Sequence, residues 1–323
     1  MNDLQLRIQS PPFQRSTVST QRLMLMVLLA LCPAVVAAYY YFGTAAIIHI
    51  VATMAAAVLA EVALQWILHR PITILDGSAA VTGLLLALNL PPQAPYWLGP
   101  AGAIIAISVV KQVFGGLGHN FVNPALAARA LMMASWPAQM VAFVKPFDSI
   151  SSATPLAIIA NSEMAQLRPT LWQLFSGEVA GTLGETCSIA LILGGLLLIY
   201  SCVIDYRIPS GILLTVLLLG SCFAGPDFSF SFSLPFGIYQ LLSGGIMLGA
   251  FFMATDYVTS PVTPRGRWLY GIGIGFIIIL IRFWGRYPEG VTFAILLMNI
   301  ASPLIERATI PHKFGEVSRS AQK

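Results

Sequence analysis

The sequence predicts an all-α polytopic membrane protein of about ten transmembrane helices, some of them short or broken. Three observations predict it. Apolar residues fill 57% of the 323 positions and charged residues only 9%, against about 25% charged in an ordinary soluble domain. The apolar residues gather in ten runs, several of them near the roughly 20 residues that span a bilayer. Lys and Arg fall mostly in alternate connections between those runs. With a mean hydropathy of +0.80, the chain has too few charges to cover a soluble surface, so lipid is part of its solvent.

Residues 1–22 are polar and begin MNDLQLRIQSPPFQR. They lack a short apolar core with a small-residue cleavage site, so they read as a cytoplasmic segment and not as a signal peptide. Five runs follow, at 23–42, 44–68, 77–90, 98–114 and 124–144, forming a first bundle over 23–144. The third is short and stops at Asn89-Leu90-Pro91-Pro92, which suggests a broken or re-entrant helix lining a site. Residues 145–184 form the one long connection. Loops of that length are uncommon unless functional or disordered, and its Trp, Phe and Leu residues point to an ordered one. Runs at 185–203, 209–224, 237–254, 268–284 and 290–304 make a second bundle over 185–304, and 305–323 is a polar tail.

Orientation follows from the basic residues. With the N-terminus in the cytoplasm, twelve Lys and Arg lie inside and four outside (Lys145, Arg168, Arg282, Arg286), with Arg129 uncounted at the start of the fifth run. One span more or fewer would scramble this asymmetry, so the positive-inside rule gives an even number of spans. Both termini are then cytoplasmic, and loop 145–184 faces the periplasm of a bacterial cell whose inner membrane the chain crosses. The segment Asn123-Pro124 to Arg129-Ala130 echoes Ser302-Pro303 to Arg307-Ala308. Either this is a chance match, or the chain is two inverted five-helix repeats with sites between them.

Some chemistries have no support. The net charge of +4 is one-sided and the aromatic residues sit in apolar runs, so nucleic acid is not an expected partner. The four cysteines form no CxxC pair and read as small buried hydrophobes, with no metal expected. No GxGxxG follows a strand, so the sequence shows no site for NADH or for a cysteine-ligated cluster, and no catalytic residue is expected here.

The segment Asp148-Ser149-Ile150-Ser151-Ser152-Ala153-Thr154-Pro155-Leu156 carries the chemistry. It is a hydroxyl-rich turn entering a helix, with Thr154 suited to the N-cap and Pro155 to the first helical position. Local physics allows an ordinary capped loop helix, or a helix start that receives an anionic phosphate.

That segment resembles the flavinylation motif Dxx[ST]GAT of the NqrB/RnfD family, whose members serve in sodium-pumping NADH:quinone reductases and in Rnf complexes. Asp148, Ser151, Ala153 and Thr154 match, while Ser152 replaces the usual glycine. Leu75 to Gly83 with Asn89-Leu90-Pro91-Pro92, Gly115 to Pro124, and Met253 to Asp256 with Thr259 to Gly266 are similar to three further signatures of the family, in the same order. The length favours the Rnf type over the quinone-reductase type. The resemblance implies FMN joined to Thr154 by a phosphoester, made by a flavin transferase, with Asp148, Ser151, Ser152, Ala153 and Pro155 around it. It also implies a second, non-covalent flavin (riboflavin) within the spans. The implied partners are the A, B, C, E and G subunits of an Rnf complex and membrane lipid. The implied function is electron transfer between ferredoxin- and NADH-linked subunits, coupled to Na+ or H+ translocation. Such a subunit is part of an oxidoreductase and inactive alone. The alternative class, a secondary transporter or channel without flavin, explains the broken spans but not Asp148 to Thr154.

Five polar residues near membrane depth are candidates for the second flavin or an ion path. Glu61 is a carboxylate inside the second run, either a proton relay or cation site, or a group that snorkels or is paired. Asp76 and Asp256 flank the third and eighth runs on the cytoplasmic side, as ion-path groups or as helix-end residues paired to Arg265 and Arg267. Asn123 and Arg129 are functional or paired, because polar groups are costly there. Ser78 reads as a helix N-cap, Gly115, Gly116 and Gly118 as points of close backbone approach, and His119 as an interfacial polar residue rather than a metal ligand.

Overall fold

The computed structural model describes residues 19–147, 151–160, 168–223, 229–285 and 289–310, so Asp148 lies outside the described residues. The first half contains α1 (Thr20–Phe42), α2 (Thr44–Ile67), α3 (Ser78–Leu88), α4 (Leu98–Ile105) and α5 (Pro124–Ser135). The fifth run ends in α6 (Pro137–Met140), and the loop region carries α7 (Pro155–Ala160) and α8 (Leu171–Ser176). The second half contains α9 (Ser188–Tyr200), α10 (Arg207–Cys222), α11 (Leu234–Leu242), α12 (Ile246–Leu248), α13 (Pro264–Trp284) and α14 (Val291–Thr309). Among the described residues there is no strand, only two isolated bridges.

The ten apolar runs all become helices, but of unequal length. Four of them, α1, α2, α13 and α14, are long and apolar enough to cross a membrane. The bent pair of α11 with Ile246–Met253, broken by 71°, makes a fifth. The others are shorter apolar helices. α4 continues as a π-helix over Ala106–Gln112, and α12 as one over Gly249–Met253. Such wide turns inside helices recur at functional sites.

The packing repeats between halves. α2 packs on α3 and α4, and α10 packs on α11 and α13, the corresponding helices of the second half. α1 packs on α9. The short or broken third helix of each half thus packs on its long neighbour.

The end of α3 shows how a helix can stop inside the bundle. The Gly184 and Leu183 amides donate to the Leu88 and Leu90 carbonyls at 2.7 and 2.9 Å. The loop preceding α9 therefore satisfies carbonyls that lipid could not. A Cβ on Gly184 would fall 2.6 Å from that of Leu88, so only glycine permits the approach. The Tyr41 hydroxyl donates to the Ser176 carbonyl at 2.6 Å, tying α1 to α8. The long connection is ordered wherever it is described, with Leu156, Leu174 and Val179 buried.

Two sequence readings change. Ser78 is not the N-cap of α3 but its first residue; the Asp76 Oδ1 accepts from the Ser78 amide at 2.8 Å and from its hydroxyl at 2.7 Å. A longer side chain from two residues earlier reaches those donors, where the serine cannot bond its own amide. Gly115, Gly116 and Gly118 have φ of 125°, 97° and 90°. They form a left-handed turn out of the π-helix, a conformation that side chains resist.

Candidate functional site

Thr154 begins α7 as its local sequence predicts. Its Oγ1 accepts from the Ala157 amide at 3.3 Å, and its carbonyl from the Ile158 amide at 3.0 Å. Pro155 takes the first helical position, where a missing N–H costs nothing. The approach to Thr154 is held by a bridge between Ser151 and Val144 and by the Ser152 amide donating to the Phe143 carbonyl. Ser151 and Ala153 are exposed and Ser152 half-buried, while Thr154 is 7% exposed. Among the described residues only His69, Phe147 and Cys202 are non-glycine residues with positive φ. Ser152 therefore holds an ordinary backbone, and the position does not demand the glycine it replaces.

Thr154 opens onto a small pocket whose floor is polar. Glu185, Thr186 and Glu289 line it with Thr154 and Gly244. The Thr186 Oγ1 and Glu185 Oε2 are buried there without a hydrogen-bond partner among the described residues. The Thr186 hydroxyl is a donor suited to an attached phosphate, which brings acceptor oxygens, while the Glu185 and Glu289 carboxylates of the same pocket carry like charge and are paired to Arg129.

Below this floor lies a buried charge cluster. Arg129 on α5 donates through Nη2 to the Glu289 Oε2 at 2.5 Å, and through Nη1 to the Glu185 Oε1 at 3.3 Å and the Asn89 Oδ1 at 2.5 Å. Arg282 on α13 donates to the carbonyls of Gln240 and Ser243 and to the Gln240 side chain. Arg129 is thus paired, as its depth demands. Glu185 and Glu289 escape the sequence reading, and Arg282 enters it only as an outside charge. The signal that points to the two acids is Arg129, an arginine in an apolar run with no acid nearby in sequence.

A second polar chain runs from Glu61 toward the opposite end of α2. The Lys111 Nζ lies 2.6 Å from the Glu61 Oε1 and 2.6 Å from the Ser78 Oγ, which in turn donates to Asp76. Gln112 Nε2 donates to the same Glu61 oxygen at 3.1 Å. Glu61 is therefore paired, not snorkelling, and Lys111 is buried, not a loop charge. Arg282 is also buried, so the inside and outside tallies of basic residues each lose one and keep their asymmetry.

Asp256 and Asn123 meet at a second pocket, with a cavity volume of about 90 Å³. Its walls are mostly apolar, with Ser78, Thr82, Lys111, Asn120, Asn123, Thr255, Asp256 and Tyr257 as the polar groups. Asn123 caps α5, accepting from the Ala125 and Leu126 amides, and donates to the Met253 carbonyl at 3.1 Å. Asp256 accepts from the Val258 amide and the Thr259 hydroxyl. Burial pushes its carboxyl above the usual range, against those bonds and one from Asn120. Neither Asp76 nor Asp256 is bonded to Arg267, whose guanidinium reaches Asp205 instead. Apolar walls with convergent polar groups are the lining of a small-molecule site. Among the described residues no group of three His, Cys, Asp or Glu could hold a metal ion.

The sequence has clear relatives. It is 46% identical over 319 residues to the D subunit of the "Na(+)-translocating ferredoxin:NAD(+) oxidoreductase complex" of Acetobacterium woodii, covering 98% of this chain and 97% of that protein. It is 41% identical to the D subunit of the "Proton-translocating ferredoxin:NAD(+) oxidoreductase complex" of Clostridium ljungdahlii, covering 95% and 96%. It is 36% identical to the D subunit of the "Ion-translocating oxidoreductase complex" of Yersinia pseudotuberculosis, covering 97% and 99%. The sequence profile of the NQR2, RnfD, RnfE family matches residues 7–315, and the chain belongs to that family.

Proposed function

We propose that this chain is the membrane subunit of an Rnf-type electron-transport complex, carrying FMN on Thr154 and coupling electron flow to Na+ or H+ translocation. It crosses a bacterial inner membrane with both termini cytoplasmic and residues 145–184 periplasmic. Its partners are the A, B, C, E and G subunits of the complex, membrane lipid and, during maturation, a flavin transferase. The observation that carries the reading is the Thr154 hydroxyl, at the start of α7 and beside the unpartnered Thr186 hydroxyl, in a chain of this family.

The flavin supplies the one- and two-electron chemistry, and the protein supplies position and electrostatics. Thr154 would hold the phosphate; Pro155 fixes the backbone at the attachment point, and Ser151 and Ser152 anchor the approach to it. The pocket lined by Asn120, Asn123 and Asp256 would take the second, non-covalent flavin, with Asn120 and Asn123 as polar contacts. Glu61, Asp76 and Asp256 would serve the ion path, while Arg129 holds the two halves together beneath Thr154.

In-gel fluorescence of the denatured wild-type chain, produced with an active flavin transferase, tests the attachment. A fluorescent band absent from Thr154→Val is expected. Mass spectrometry of an unmodified Thr154 peptide from such cells would overturn it.

A further inference from the structure

Lys111 occupies a place suited to a free cation. Its Nζ sits between the Glu61 Oε1 and the Ser78 Oγ, 2.6 Å from each. The second carboxylate oxygen, Glu61 Oε2, is buried without a hydrogen-bond partner among the described residues. Carboxylate and hydroxyl oxygens around one position are ligands of a hard cation. Gln112, the next residue, reaches the same carboxylate. Both come from the π-helix over Ala106–Gln112.

Lys111 also lines the neighbouring pocket with Asn120, Asn123 and Asp256. A lysine is a point charge on a flexible stem, so one ammonium group serves two neighbouring environments. The charged groups around it are Glu61, Asp76 through Ser78, Asp256 across the pocket, and Arg70, whose Nη1 donates to the Gln112 carbonyl at 3.1 Å. A fixed buried ion pair would be weak evidence for stability. The unused Glu61 oxygen and the open pocket give this pair a second state to move into.

We propose that Lys111 is a tethered cation that fills the Glu61 site and withdraws toward the pocket when negative charge arrives there, opening Glu61 to one monovalent cation, a proton or Na+. The proposal rests on reading the pocket as a flavin site. Charge balances in the step. One electron enters the pocket from reduced ferredoxin, or from dithionite in vitro. The Lys111 ammonium turns to that charge, and one cation enters through Asp76 and Ser78 to replace it at Glu61. Lys111 is thus a positioning residue that ties cation binding to charge in the pocket.

The test is cation uptake on reduction of the purified complex by dithionite. It is read with a sodium electrode in Na+ buffer and with a pH-indicator dye in Na+-free buffer, beside flavin absorbance. The wild type should take up a cation as the flavin bleaches. In Lys111→Met, Glu61 is already open in the oxidised state, so uptake linked to reduction should be lost; Lys111→Arg should keep it. Wild-type uptake per electron in a Lys111→Met complex that retains its non-covalent flavin overturns the tether. A wild-type complex holding no non-covalent flavin overturns the pocket reading instead. Should Lys111→Met fail to assemble, the charge-free double variant Glu61→Gln/Lys111→Met decides. It should show no uptake, and uptake at the wild-type level would overturn the proposal.

Discussion

Arg129 on α5 lies 2.5 Å from Glu289, 160 residues later and just before α14, so one buried ion pair clasps the first five-helix half to the second. Arg129 also reaches Glu185 at the end of the long loop. Removing the guanidinium leaves two carboxylates buried without their counter-charge. Breaking a buried pair in this way costs about 3–5 kcal/mol. Arg129→Leu is therefore expected to lower the thermal unfolding midpoint of the detergent-purified protein sharply. Adding Glu185→Gln and Glu289→Gln should restore much of the loss, because the unpaired charges go with it.

The α10–α13 contact makes a second stability prediction. A Cβ on Gly271 would lie 2.7 Å from the Ile208 carbonyl and 3.3 Å from the Gly211 Cα. Helices in lipid associate through such close packing of small residues. Overpacking a tight contact costs typically about 1–3 kcal/mol. Gly271→Val should lower the unfolding midpoint in detergent, and Gly271→Ala should do so less.

Ser152 bears on flavin attachment. Its backbone lies outside the left-handed region and its amide is bonded to the Phe143 carbonyl. Restoring the family's glycine therefore relieves no strain. Ser152→Gly is expected to leave the flavin-to-protein ratio unchanged, measured by absorbance of the denatured protein. A marked rise would mean that serine obstructs the transferase.

How much of the fold and site is readable from the chain depends on distance along it. The Thr154 cap and Pro155 at the helix start follow from adjacent residues, and the structure has both. Asn123 and Arg129 declare themselves by polarity in apolar surroundings, and both are bonded. Their partners do not, because Met253, Glu185 and Glu289 meet them only through folding. Lys111, near the end of the fourth apolar run, counts among the cytoplasmic-side charges, yet the π-helix carries it inward to Glu61, 50 residues earlier. The cap at Asp76 lies two residues before the serine that sequence suggests, since sequence shows a turn but not which oxygen reaches the amide.

The last prediction concerns pH. Asp205, between α9 and α10, lies 2.8 Å from the Arg207 Nη1 and 2.5 Å from the Arg267 Nη1. Burial opposes its ionisation. The Arg207 amide, the Arg267 side chain and both positive charges outweigh that and hold its carboxyl below the usual range. A carboxyl depressed in the folded state binds protons less readily than in the unfolded chain. Its contribution is therefore complete above the unfolded value of about 3.9. It is lost as pH falls through the lower folded value. The group is partly exposed, so the contribution is at most about 1 kcal/mol. Asp205→Asn should lower the unfolding midpoint slightly at pH 7, and the gap from wild type should close only below the ordinary aspartate range. A gap that closes already at pH 6 would assign the effect to some group other than Asp205.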